Sequence, residues 1–153
     1  MTERINLRLE IPQLLLEQIH RHGERSYPEE GAGFLLGVTS AEKRQVKELL
    51  VLENAREDGS RHNRYLLTPR DVLEGENEAA RRGLDIVGVF HSHPDHPDQP
   101  SEFDREWALP WLSYLITRID SAKAVSSRSW RLADNRELFD EENLIVIPKV
   151  ESN

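Results

Sequence analysis

The sequence predicts a single domain of the α+β or α/β class, in which helices flank a central mixed β-sheet. Short segments with alternating or continuous apolar residues recur along the chain and are typical of strands, and longer segments carry apolar residues at helical spacing. The chain of 153 residues is long enough to bury a core, and no repeat, low-complexity tract or linker divides it.

The first half of the chain predicts a strand, a helix and a pair of strands. Residues 5–9 alternate between apolar and polar side chains, and 12–22 has its apolar residues on one helical face. The glycine-bounded apolar run at 33–38 predicts a buried strand, and the loosely alternating segment 45–53 is expected to pair with it. The polar stretch 54–63 predicts a loop.

The second half begins with a short strand candidate at 65–67, which is followed by a helix. Thr68 suits the N-cap of this helix, Pro69 its first position and Gly83 its C-terminal end. The apolar run 85–90 then predicts the central strand. The remaining expectations are an irregular segment at 95–100, a helix at 101–107, strands at 112–119 and 129–132, a mobile loop at 121–127, and either a last strand or a docked tail at 144–147.

Composition argues against several classes of function. The net charge of −8 argues against nucleic acid and against an anionic membrane surface as partners, because binding to phosphate requires basic surface. The chain has no cysteine and therefore no disulfide, no thiolate zinc site and no cysteine nucleophile. The N-terminal segment does not have the pattern of a signal peptide, and no apolar run is long enough to span a membrane. We therefore expect a cytoplasmic location.

The most informative segment is the tetrapeptide at 91–94, which reads His-Ser-His-Pro and follows the predicted central strand. Side chains alternate along a strand, so His91 and His93 are expected on one face, where Asp104 could join them. Two imidazoles, one carboxylate and an open position for water are typical of a catalytic zinc site. His-x-His alone is a weak signal, and Ser101 with Asp104 also fits a helix capping box, so the combination carries the interpretation.

A further element lies upstream, where Glu29 and Glu30 precede a glycine-rich apolar run. These residues could form an acidic helix-to-strand turn in which glycine permits close backbone approach. Alternatively, one carboxylate could take a proton from water and pass it to a leaving amine, as a zinc hydrolase requires.

Together these residues resemble the JAMM (MPN-plus) zinc metalloproteases, in their short prokaryotic form. The family pattern is a glutamate ahead of a glycine-rich strand, His-x-His-Pro, six or seven residues, and Ser-x-x-Asp. Here Glu30, rather than Glu29, stands in the family's register, and the spacer 95–100 separates 91–94 from 101–104.

The resemblance covers roughly residues 5–135. It implies one MPN-like domain over 1–153, whose core is that region and whose C-terminal tail is 136–153.

The resemblance also implies a role for each motif residue. His91, His93 and Asp104 would bind one Zn²⁺ per chain, with water as the fourth ligand. Glu30 would act as general base and then as general acid, and Ser101 would hydrogen-bond to the water or to the oxyanion.

Other residues near the motif are expected to have structural roles. These are His96 as a loop histidine, Asp95 and Asp98 as solvated charges, and Trp107, Trp111 and Trp130 as core residues, with Trp111 also a candidate to line a groove.

The function that the resemblance implies is hydrolysis of peptide or isopeptide bonds at the C-terminal Gly-Gly tail of a ubiquitin-like or sulfur-carrier protein. The short chain, without a recognisable long insertion, favours this prokaryotic type. Two alternatives stay open: a catalytically inactive MPN-type binding scaffold, and a metallopeptidase for other peptides, such as cell-wall or phage-tail substrates. The presence of every predicted ligand counts against the first, and no secretion signal or accessory domain supports the second. The oligomeric state stays open.

Overall fold

Ten secondary-structure elements are present in the part of the chain that the computed structural model describes, residues 7–52 and 67–149. In chain order they are β1 (Arg8–Pro12), α1 (Gln13–Ser26), β2 (Ala32–Ser40), β3 (Lys43–Leu52), α2 (Pro69–Arg81), β4 (Asp85–Pro94), α3 (Glu102–Trp107), β5 (Ser113–Asp120), β6 (Lys123–Leu132) and β7 (Phe139–Ile147). None of the three helices combines the length and the apolar character needed to cross a membrane.

The seven strands form a closed barrel in the order β1-β3-β2-β4-β5-β6-β7. The prediction of an α+β or α/β domain with a central sheet flanked by helices is therefore wrong. The reason is that β1 pairs in parallel with both β3 and β7, so the sheet closes on itself instead of ending in edge strands. In the closing pair, Arg8 lies opposite Asn143 and Pro12 opposite Ile147.

Apolar side chains form two clusters, one on each face of the barrel wall. The cluster that includes α1 draws residues from five strands: Leu9, Ile11, Ile19, Leu35, Val46, Val87, Phe90 and Leu115. The cluster on the opposite face includes α2 and the segment before β5: Phe34, Leu36, Ala79, Val89, Ala108, Leu112, Tyr114, Ile116, Trp130 and Leu132.

A β-bulge in β4 determines which face the end of this strand presents. Leu35 pairs with Gly88, but the next residue, Leu36, pairs with Ile86, so Val87 is an extra residue in β4. Beyond the bulge the alternation is regular, and Val89 belongs to the cluster beside α2 whereas Phe90 belongs to the cluster beside α1. His91 and His93 consequently share the face of Val89.

The helix predicted after Thr68 is confirmed in detail. The Thr68 side chain accepts a hydrogen bond from the backbone N–H of Asp71, and the Asp71 carboxylate accepts one from the Thr68 N–H. Pro69 occupies the first turn, and Gly83 has a positive φ of 71° just after the helix. The predicted loop at 54–63 and residues 65 and 66 of the predicted short strand lie outside the described residues.

The prediction of a mobile loop at 121–127 is wrong. Only Ser121 and Ala122 form the turn, both with positive φ, and β6 begins immediately afterwards. The polar residues that suggested a loop face partners inside the fold, because Ser127 Oγ lies 2.7 Å from Thr117 Oγ1 and 2.9 Å from His20 Nε2. The segment predicted at 144–147 as a strand or tail belongs to β7, which already begins at residue 139.

Buried polar pairs connect the strands on the α1 side of the barrel. Arg131 on β6 forms an ion pair with Glu142 on β7, and Glu142 also accepts a hydrogen bond of 2.7 Å from Ser129 Oγ. Across the barrel, Arg44 donates a 2.9 Å hydrogen bond to Ser113 Oγ. Burial of these charges is tolerated because each has a partner of opposite charge or a hydrogen-bond acceptor.

The close contact of β2 with β3 at Gly37 predicts a specific loss of stability. A Cβ at this position would overlap the backbone carbonyl oxygen of Gln45, so Gly37→Ala should lower the free energy of unfolding by about 1–3 kcal/mol, measured by urea denaturation. Gly83→Asn is the control, because position 83 is open and asparagine tolerates positive φ; it should change stability by no more than about 0.5 kcal/mol. Wild-type stability in Gly37→Ala would contradict the close approach.

Candidate metal centre

The two motif histidines lie near the end of β4, on the face that carries Val89. β4 continues beyond its last partner in β2 because its parallel pairing with β5 extends to Pro94. Both histidines are buried, and only 1% of His93 is exposed. The parallel neighbour therefore supports the strand at the point where these side chains are presented.

Asp104 reaches the histidines from the first turn of α3. Ser101 is the N-cap: its Oγ accepts a 3.1 Å hydrogen bond from the Asp104 N–H, and Asp104 Oδ2 accepts a 2.8 Å hydrogen bond from the Ser101 N–H. The capping box fixes the direction of the acidic side chain. The capping role expected for these two residues thus coexists with placement of Asp104 beside the histidines.

His91, His93 and Asp104 form one group, the His-Asp cluster, in which the potential ligand atoms all lie within 4.8 Å of one another. His91 Nε2 lies 3.1 Å from His93 Nε2 and 3.5 Å from Asp104 Oδ1, and His93 Nε2 lies 3.2 Å from Asp104 Oδ2. Two imidazole nitrogens and one carboxylate that converge in this way match the donor set that Zn²⁺ prefers in catalytic sites.

Contacts on both sides of the ring fix the orientation of His93. Its Nδ1 donates a 2.7 Å hydrogen bond to the carbonyl of Pro97, so that Nε2 has the lone pair directed toward the other ligands. His96 stacks on the same imidazole, with ring centroids 4.3 Å apart, and its own Nδ1 lies 2.9 Å from the Pro94 carbonyl. His96, which was expected to be a loop histidine, therefore packs against the cluster without belonging to it.

The electrostatics of the cluster favour an ionised carboxylate. Burial by itself raises the pKa of Asp104, but the adjacent imidazoles of His91 and His93 and the hydrogen bond from the Ser101 N–H outweigh burial and hold this pKa well below its usual range. The Asp104 carboxylate therefore places a negative charge beside the two imidazoles.

Glu30 is buried, with 5% of its surface exposed, and precedes β2. Its neighbour Gly31 donates a 2.8 Å hydrogen bond from its N–H to Ser92 Oγ and accepts a 2.9 Å bond at its carbonyl from the Ser92 N–H. These two bonds join the segment that carries Glu30 to the residue between the two histidines. Glu30 itself lines a depression with His22 and Leu52, whereas Asp104 lines a different pocket.

That pocket has an aromatic wall that the sequence analysis did not anticipate. It has a volume of about 50 Å³ and is lined by His91 and Asp104 together with Ala32, Leu67, Val89, Phe103, Trp107 and Tyr114. Trp107 and Trp111 are 58% and 63% exposed, so their expected place in the core is wrong, whereas Trp130 is 9% exposed. The spacing of Phe103 and Trp107, one helical turn apart on either side of Asp104, is the signal that could have revealed this wall.

Tyr114 contributes its ring to the pocket, and its hydroxyl oxygen is held by the backbone before β5. The hydroxyl accepts a 2.7 Å hydrogen bond from the backbone N–H of Leu109. Burial raises the pKa of Tyr114 to about 12, so the side chain is neutral at physiological pH.

Side chains from other elements anchor the segment between β4 and α3. Asp98 is buried and accepts a 2.7 Å hydrogen bond from Ser126 Oγ, so the expectation of a solvated charge is wrong for this residue. Trp130 Nε1 donates a 3.0 Å bond to the Asp98 carbonyl. Asp95 accepts hydrogen bonds from Tyr27 Oη and from the Ser121 N–H. The Pro97 carbonyl that orients His93 therefore sits on a segment held at both ends.

Comparison with known proteins identifies the family. A profile described as prokaryotic homologs of the JAB domain matches residues 12–133. The chain belongs to this family. The matched region includes the whole His-Asp cluster, Ser101 and Glu30.

Relatives of this JAB-family protein carry different descriptions. A probable TtuB-protein conjugate cleaving protease from Thermus thermophilus is 32% identical over 116 residues, which cover 76% of this chain and 74% of the relative. Tail tip assembly protein K from Escherichia phage N15 is 29% identical over 65% of this chain, a region that covers 37% of the phage protein. A desampylase from Pyrococcus furiosus is 36% identical over 31% of this chain and 37% of its own length.

Solved structures share the fold of this JAB-family chain. The solution structure of a Salinibacter ruber protein has a TM-score of 0.71 and 39% identity, and the match covers 90% of this chain and 91% of that chain. The crystal structure of a JAB1/MPN domain protein from Archaeoglobus fulgidus has a TM-score of 0.53 with 19% identity, over 89% of this chain and 98% of that chain. The second likeness is one of fold alone.

The capping boxes of α2 and α3 predict equal losses of stability when the cap is removed. Ser101→Ala and Thr68→Ala should each lower the free energy of unfolding by about 1 kcal/mol, because each leaves a backbone N–H without its acceptor. Chemical denaturation in EDTA measures both variants without a contribution from metal. A loss in Thr68→Ala alone would show that the α3 cap does not form in solution.

Proposed function

We propose that this JAB-family protein is a zinc-dependent isopeptidase that hydrolyses peptide or isopeptide bonds after the C-terminal Gly-Gly of a ubiquitin-like or sulfur-carrier protein. The observation that carries the proposal is the His-Asp cluster, whose three ligand atoms converge in a buried place next to an open pocket. Relatives described as a conjugate-cleaving protease and as a desampylase support cleavage of protein conjugates. The preference for Gly-Gly follows from the resemblance of the motif to short prokaryotic JAMM proteins.

The residues of the cluster fit a zinc ion. His91, His93 and Asp104 would hold it, and the bond from His93 Nδ1 to the Pro97 carbonyl keeps Nε2 available as a ligand. When bound, zinc would polarise the scissile carbonyl and lower the pKa of a water molecule.

Two further residues would handle protons and developing charge. Glu30 would accept a proton from the attacking water and deliver it to the leaving amine; the paired hydrogen bonds between Gly31 and Ser92 fix its backbone relative to the histidines. Ser101 Oγ accepts a hydrogen bond from the Asp104 N–H, which leaves its own hydroxyl hydrogen free to donate to the oxyanion.

Metal content tests the ligand assignment. The purified protein should bind about one zinc ion per chain. His93→Ala and Asp104→Ala should each lose the metal while the circular dichroism spectrum persists, because each removes one of three ligands. His96→Ala is the matched control and should retain zinc, because His96 stacks on His93 but lies outside the cluster. Full zinc content in a His91→Ala, His93→Ala double variant, by elemental analysis, would disprove the assignment.

The proton-transfer role predicts different effects for two adjacent glutamates. Glu30→Gln should keep zinc and lose about a hundredfold or more in kcat on a carrier fusion joined through Gly-Gly, because the amide cannot accept the proton. Glu29→Gln should retain most activity. The reverse result, with Glu29→Gln inactive and Glu30→Gln active, would move the role to Glu29.

The phage relative favours a second candidate, a metallopeptidase for other peptides. The same assay decides between the two when wild-type enzyme is given the Gly-Gly carrier fusion, unstructured peptides and a cell-wall peptide, with products identified by mass spectrometry. Preferential cleavage after Gly-Gly supports the isopeptidase. Equal cleavage of unstructured peptides would leave a general metallopeptidase, and zinc binding without any turnover would leave a binding scaffold.

A further inference from the structure

We propose that the pocket beside Asp104, here called the aromatic pocket, binds an aliphatic chain attached to the leaving amine, and that Phe103 and Trp107 thereby determine which conjugates are cleaved. The inference rests on the proposed function and adds a preference on the leaving-group side of the scissile bond.

The aromatic pocket is continuous with the His-Asp cluster. Asp104 and His91 belong both to the cluster and to the lining of the pocket, so a group that occupies the pocket lies beside the reacting bond. Phe103 and Trp107 stand one helical turn apart on α3, with ring centroids 6.3 Å apart and ring planes inclined by 47°. The two rings form one wall next to the ligands.

Apart from the cluster, the pocket offers hydrocarbon and aromatic surface. Val89, Ala32 and Leu67 contribute aliphatic atoms, and Tyr114 adds its ring, whose hydroxyl oxygen accepts a hydrogen bond from the Leu109 N–H. A charged side chain placed here would lose hydration against a lining that is mostly hydrocarbon, whereas a hydrocarbon chain would gain contact.

The exposure of Trp107 indicates that its ring is available to a ligand. Trp107 lies at the end of α3, a helix of only six residues. Because its indole is 58% exposed, it contributes little to the protein core. Because the same ring lines the pocket next to Asp104, substrate that enters the pocket would cover it.

The group that occupies the aromatic pocket is expected to lie on the leaving-group side of the scissile bond. Two glycines on the acyl side carry no side chains, so among the residues next to the scissile bond it is the group across it that can fill the pocket. That group is either the four-carbon stem of a lysine in an isopeptide or the side chain of the first residue in a peptide. The lysine stem, and the side chain of a first residue that is aliphatic, would gain contact with the apolar lining of the pocket.

The test uses one ubiquitin-like carrier ending in Gly-Gly, joined to four leaving groups. These are a lysine ε-amine, and peptides that begin with leucine, glycine or aspartate. Wild-type enzyme should have a kcat/KM about tenfold higher for the lysine or leucine linkage than for glycine or aspartate. A comparison of kcat/KM between the lysine linkage and the leucine linkage distinguishes an isopeptide from a linear peptide as the natural substrate.

Substitutions in the aromatic wall test which residues determine the preference for the leaving group. Trp107→Ala and Phe103→Ala should each reduce the leucine-to-glycine ratio of kcat/KM toward one, with zinc content unchanged, and Trp107→Phe should retain most of the ratio. Trp111→Ala is the matched control, because Trp111 is equally exposed but lines a different depression with Phe34 and Val72.

Two outcomes would overturn the inference while leaving the proposed function intact. One is equal wild-type rates for all four leaving groups, and the other is an unchanged leucine-to-glycine ratio in both Trp107→Ala and Phe103→Ala. Failure of wild-type enzyme to cleave any Gly-Gly linkage would instead remove the proposed function, and this inference with it.

Discussion

The antiparallel pairing of β2 with β4 is the constraint on which the site depends. It places Ala32 opposite His91, and the bulge at Val87 turns His91 and His93 to the face that α2 covers and that Asp104 of α3 reaches. The pairing is close because Gly33 has no side chain, and a Cβ there would overlap the ring of Phe90. Thus the close contact between Gly33 and Phe90 in the barrel wall determines where His91 and His93 lie.

Local spacing explains why the cluster could be predicted from sequence. Alternation along a strand requires His91 and His93 to share a face, and a Ser-x-x-Asp cap requires Asp104 to turn back toward the start of its helix. Neither relation depends on how the strands are arranged in space. The three members of the His-Asp cluster were therefore accessible to sequence reasoning even though the class of the fold was not.

Barrel closure could not be predicted because hydrophobic periodicity identifies strands but not their neighbours. The later strands also have polar inward faces: Ser127 bonds Thr117, and Arg131 pairs with Glu142, so β6 and β7 lack the apolar alternation that indicates a buried strand. The aromatic pocket was missed for a related reason. Large aromatic residues near a motif are usually core residues, and only the packing of α3 shows that Trp107 stays at the surface.

The pairing of β1 with β7 also affects how the protein is made. Contacts between residues so distant in sequence form slowly, because the entropy of closing a long loop is lost before the contacts stabilise the fold. During synthesis, the edge of β1 that β7 covers stays unpaired until β7 has left the ribosome. Leu9 and Ile11 then lie on a strand with an open edge, so the unfinished chain is the form most exposed to wrong strand pairing. Emergence of β7 ends that exposure.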